Sequence, residues 1–127
     1  MPALLIAGTI WILSAQSILP QPKGIIGFDK VAHFLAYGAL GVAVGLWFSP
    51  AFWKRRPALA LLLITLIGSA YGASDEFHQY FVPGRDCDVW DWVADTLGAF
   101  AGALAVMLFM RKFKFAEAQV EKEAAIK

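Results

Sequence analysis

Four apolar stretches, each closed by polar or turn-forming residues, take up most of the 127-residue chain. Residues 2–19 carry no charge and end at Pro20-Gln21-Pro22-Lys23-Gly24, a turn by composition. No basic segment precedes them, which favours a retained helix over a cleaved signal peptide. A second stretch, 31–48, is closed by Ser49-Pro50 and the basic run Lys54-Arg55-Arg56. The third, 57–80, opens on Pro57, a good first helical residue, and turns polar near Asp75 and Glu76. The fourth, 89–110, stops at Arg111, Lys112 and Lys114. They are 18 to 24 residues long, about what a helix needs to cross about 30 Å of hydrocarbon. A soluble helical bundle would need charges along one face of every helix, and Ala58 to Gly68 has none. The pattern predicts an all-α integral membrane four-helix bundle over residues 1–115 with short loops, followed by a short charged tail over 116–127.

Composition agrees. The chain is 59% hydrophobic and 17% charged, against about 45–50% and about 25% in soluble domains, and its mean hydropathy is +0.60. Disorder and a basic nucleic-acid-binding domain are excluded. A single cysteine, Cys87, excludes an internal disulfide framework and a cysteine-based zinc site. Eight of the eleven basic residues follow the second or fourth stretch, which places that side, and both termini, in the cytoplasm. The net charge of +1 thereby splits into a basic inner layer and an acidic outer one.

Seven of the ten acids, Asp29, Asp75, Glu76, Asp86, Asp88, Asp91 and Asp95, gather at the outward ends of the last three stretches. A charge inside hydrocarbon costs at least a few kcal/mol, so such residues face a bundle interior or a wet cavity and mark function. At about 100° per residue, Asp29, Lys30, His33 and Tyr37 share one face of the second helix. Gly68, Gly72, Glu76 and Gln79 share one face of the third, and Asp88, Asp91, Asp95, Gly98 and Gly102 one face of the fourth. Glycines four apart let helix backbones approach closely in lipid. Their coincidence with the polar faces points both sets into the bundle centre.

The converging set is Asp29, Lys30, His33, Tyr37, Glu76, Gln79, Arg85, Asp91 and Asp95. Carboxylates beside a histidine can serve as general acid and base, and Asp29 and His33, one turn apart, are placed to pair. An enzyme would use His33, oriented by Asp29, as base, with Glu76 or Asp91 as acid. Lys30, Tyr37, Gln79, Arg85 and Asp95 are the binding candidates. Arg85, in a Pro83-Gly84-Arg85 turn, suits a bidentate grip on a phosphate or carboxylate. No ligand-spaced motif such as His-Glu-x-x-His is present, so neither a metal nor another cofactor is expected. His78 projects away from Glu76 and Gln79 and, with Phe77, Tyr80, Phe81, Trp90 and Trp92, reads as an outer interfacial belt, while Trp47 and Trp53 mark the inner one.

The combined pattern Asp29-Lys30-x-x-His33-x-x-x-Tyr37, then Asp75-Glu76-x-x-Gln79-x-Phe81-x-Pro83-Gly84-Arg85-x-x-Asp88-x-x-Asp91-x-x-x-Asp95-x-x-Gly98-x-x-x-Gly102, resembles the VanZ-like family of small bacterial membrane proteins. The match runs from Phe28 to about Met110 and departs at Asp95, where asparagine is usual. The resemblance implies a multi-span inner-membrane protein and a link to tolerance of the glycopeptide teicoplanin. Two functions compete. One is an outward-facing site that binds, or acts on, an anionic envelope lipid or lipid-linked cell-wall precursor. The other is an accessory subunit packing against a larger membrane-protein complex, its ion pairs serving assembly. The expected partners are therefore lipid and a possible membrane protein, with no nucleic acid.

Overall fold

In the computed structural model, residues 2–17 and 27–125 are described, with side chains as far as Lys112. The expected turn at Pro20 to Gly24 lies outside them. Five helices run in the order α1 (Pro2–Ser14), α2 (Phe28–Gly45), α3 (Pro50–Arg55), α4 (Pro57–Gln79) and α5 (Val89–Ala125), and there is no strand among the described residues.

Helix α5 is the centre of the fold: its most extensive contact is with α2, the next with α4, and α1 leans on α2 and α4. Glycine makes this possible. A Cβ on Gly98 or Gly102 would collide with the carbonyl oxygens of Phe34 and Gly38 on α2, and one on Gly41 with the Ala99 carbonyl on α5. On α4, a Cβ on Gly68 would overlap the Ala99 side chain, and one on Gly72 would lie 2.8 Å from Asp95 Oδ2. The spaced glycines are thus the helix–helix contacts, as their spacing predicts, and Gly38 joins them although it belongs to no four-residue pair.

Alongside an apolar core of Leu40, Val44, Ile64 and Val106, the fold buries polar side chains and exposes large apolar ones. Tyr37, Ile64, Gln79, Asp75 and Asp95 are the largest fully buried side chains, while Leu62, Leu66, Ile67, Leu97, Leu108 and Phe109 lie exposed around the outside. Water would penalise both halves of that arrangement, whereas lipid tails solvate the exposed apolar groups. By length and composition, α4 and the Val89–Lys112 stretch of α5 can cross a membrane. Helix α1 has 13 residues and reaches only about 20 Å. Helix α2 starts at Phe28, before the expected 31, behind Gly27 in the left-handed region at φ 79°, and ends at Gly45, before the expected 48.

Ser49-Pro50, expected to mark a loop, instead starts α3. The Phe52 N–H donates to Ser49 Oγ at 3.2 Å, and Pro50 occupies the first turn, where its missing N–H costs nothing. Trp53, expected in an interfacial belt, is 4% exposed and donates from Nε1 to the Gly45 carbonyl at 3.0 Å, tying α3 to the end of α2. Helix α5 runs unbroken past 110 and across the expected boundary at 115/116. Phe28, Gln79 and Val89 consequently share one end of the bundle, and Gly45, α3 and Arg111 the other.

Candidate functional site

The first end holds a cleft of about 440 Å³ lined by Phe28, Ala32 and the polar side chains of Asp29, His33, Gln79, Arg85, Asp86, Asp88 and Asp91. Three elements meet there because Asp29 and Lys30 lie in the first turn of α2, Gln79 ends α4, and Asp88 immediately precedes α5 with Asp91 in its first turn. Between α4 and α5 the chain turns at Gly84, whose φ of 82° favours glycine, and this turn delivers Arg85 to the cleft.

Lys30 is the hub. Its Nζ lies 2.7 Å from Asp88, 2.9 Å from Asp91 and 3.1 Å from Asp29. Asp88 also accepts the Trp90 N–H at 2.9 Å, and the ammonium together with that N–H holds its carboxyl below the usual carboxylate range. The Asp88 N–H in turn donates to Glu76 Oε2 at 2.9 Å. Arg85 is placed differently. Its Nη2 donates to Gln79 Oε1 at 3.1 Å, Gln79 Nε2 donates to Asp75 at 3.4 Å, and no carboxylate among the described residues pairs with the guanidinium.

Beneath the cleft His33 meets Asp95, with Nδ1 and Oδ1 2.9 Å apart. The expected partner was Asp29, one turn away on the same helix, but Lys30 holds Asp29, and the close approach of α5 brings Asp95 to the imidazole instead. Tyr37, also expected at the site, is fully buried, its hydroxyl has no hydrogen-bond partner among the described residues, and its ring centroid lies 6.0 Å from that of Tyr71. Of the nine predicted residues, Asp29, His33, Gln79, Arg85 and Asp91 line the cleft, Lys30 binds two of its acids, Asp29 and Asp91, together with Asp88, Glu76 accepts the Asp88 N–H and Asp95 pairs with His33, while Tyr37, midway along α2, is hydrogen-bonded to none of them.

A model of the VanZ/LLP1 family matches residues 3–110. The chain belongs to the VanZ/LLP1 family. No curated protein and no solved structure matches it. The VanZ/LLP1 match takes in α1 to α4, every site residue and α5 up to its basic stop, and it accords with the two apolar helices of membrane-spanning length.

Two features escaped the sequence reading of this VanZ/LLP1 chain. Asp75 is 1% exposed with Oδ1 unpartnered, yet it was left out of the converging set. Its helical angle falls about 20° outside the arc of Gly68, Gly72, Glu76 and Gln79, so a slightly wider arc would have included it. His78, expected in the outer belt, stacks on Trp11 of α1, with centroids 4.1 Å apart and planes 11° from parallel. Phe77, Tyr80, Phe81 and Trp90 do lie exposed near the cleft end. Trp92 is partly exposed and donates from Nε1 to the Ser69 carbonyl at 3.0 Å. Cys87 is exposed at the rim.

Proposed function

We propose that this VanZ/LLP1 protein is a four-helix inner-membrane bundle with both termini in the cytoplasm, whose cleft opens outward and binds the phosphate-bearing headgroup of an envelope lipid or lipid-linked cell-wall precursor. The observation that carries the reading is Arg85. Its guanidinium stands in a cleft otherwise rich in acids, yet among the described residues its hydrogen bond is to a neutral amide, which leaves donors for an anion. Lys30 differs, being saturated by three carboxylates. The exposed basic residues Lys54, Arg55, Arg56, Arg111 and Lys112 at the opposite end support a cytoplasmic assignment there. Binding of such a lipid is the route by which we connect the chain to glycopeptide (teicoplanin) tolerance.

The reading is tested with purified full-length protein titrated with phosphatidylglycerol, a polyprenyl phosphate and phosphate-free diacylglycerol. A charge-assisted hydrogen bond contributes about 1.5–3 kcal/mol, so Arg85→Ala is expected to weaken binding of the two anionic lipids by about 10-fold or more while leaving that of diacylglycerol unchanged. Equal anionic-lipid affinity in the variant would overturn the proposal.

A further inference from the structure

Below the cleft, three helices each contribute one metal-capable side chain to a single point: His33 from α2, Glu76 from α4 and Asp95 from α5. One ligand atom from each lies within 4.8 Å of the other two. An ion with bonds of about 2.0–2.2 Å holds its ligands no more than about 4.4 Å apart, so a contraction of a few tenths of an ångström closes the set. The His33 Nδ1 and Asp95 Oδ1 separation of 2.9 Å already matches adjacent ligands at about a right angle on one ion.

An independent observation points the same way. Glu76 Oε1 and Asp95 Oδ2 are buried with no hydrogen-bond partner among the described residues, on side chains from residues 4% and 0% exposed. Asp75 Oδ1 and the Tyr37 hydroxyl beside them are unpartnered too. Buried polar groups are ordinarily satisfied, and a buried carboxylate without a counter-charge costs several kcal/mol. Among the described residues, Lys30 is bonded to Asp29, Asp88 and Asp91, Arg85 reaches Gln79 and neither of these carboxylates, and His33, 2.9 Å from Asp95 Oδ1, is the one basic side chain hydrogen-bonded to either. Gly72 leaves the space that Asp95 Oδ2 occupies. His33 also lines the cleft, which gives an ion a way in from the open side.

We propose that His33, Glu76 and Asp95 bind a divalent cation of the zinc or manganese class at the inner end of the cleft. One imidazole nitrogen and two carboxylate oxygens form a mixed donor set suited to these ions. The site involves neither Arg85 nor the anion it is assigned, so it stands or falls separately from the lipid reading.

The test is titration of chelator-stripped, full-length protein in mild detergent with Zn²⁺ and, separately, Mn²⁺, followed by calorimetry and thermal melting. The expected result is one ion per chain at micromolar or tighter Kd, with a rise in Tm. Asp95→Asn and Glu76→Gln, which keep size and hydrogen-bonding reach, should each weaken binding at least about 10-fold, while Thr65→Val, whose hydroxyl bonds only the Leu61 carbonyl of its own helix among the described residues, should change it less than about threefold. Wild-type protein that binds neither ion would overturn the proposal. So would binding that Asp95→Asn and Glu76→Gln leave untouched. The wild-type titration requires no substitution, so a variant that fails to fold does not blunt the test.

Discussion

Gly102→Ala is expected to destabilise the bundle by about 2–3 kcal/mol, although it adds only a methyl group. That group would strike the Gly38 carbonyl oxygen and lie 2.8 Å from the Val42 nitrogen, both backbone atoms of α2. Backbone cannot rotate aside as a flexible side chain does, so relief requires α2 and α5 to separate along the most extensive contact in the fold. Gly98→Ala meets the Phe34 carbonyl and the Gly38 nitrogen in the same way. Gly8 on α1 has open space around its Cβ position, and Gly8→Ala should stay within about 0.5 kcal/mol. Denaturant unfolding in mixed micelles separates these cases. Equal stability of Gly102→Ala and Gly8→Ala would mean that the α2–α5 contact is not built as described.

Lys30→Met should cost about 2–3 kcal/mol. Its ammonium is the only cation among the described residues that contacts Asp29, Asp88 and Asp91, and the Asp91 side chain is 9% exposed. Removing one partner of a buried pair costs about 3–5 kcal/mol because the other charge is stranded. Lys30 is itself 35% exposed, so water recovers part of that and brings the estimate below this range. Adding Asp91→Asn to Lys30→Met removes the stranded charge and should restore about half of the loss. The same unfolding assay reads the coupling through a double-mutant cycle. A coupling near zero would show that the two side chains do not interact in the folded protein.

The chain's periodicity revealed which face of each long helix turns inward, because apolar, glycine and acidic positions repeat with the same period on α4 and α5. It did not reveal which neighbour each face meets. His33 illustrates the limit: the sequence offers Asp29 four residues away, whereas the actual partner, Asp95, is brought in by glycines on another helix. For His78 the helical period predicts a direction away from Gln79 but no partner, and its stacking on Trp11 depends on where α1 lies. Helix α3 was missed because six residues are too few to establish a period, although Ser49-Pro50 is a start signal as well as a stop. The length of α1 was overestimated because absence of charge does not fix where a helix ends.

The central claim, that the acid-rich cleft opens on the outer face of the inner membrane, can be tested at a native residue. Cys87 is the only cysteine, is exposed, and lies at the cleft rim between Asp86 and Asp88. Spheroplasts producing the unaltered chain are treated with a membrane-impermeant maleimide before or after permeabilisation. The account predicts full labelling of Cys87 in intact spheroplasts, with no gain on permeabilisation. Labelling that appears only after the membrane is opened would place the cleft in the cytoplasm and contradict it.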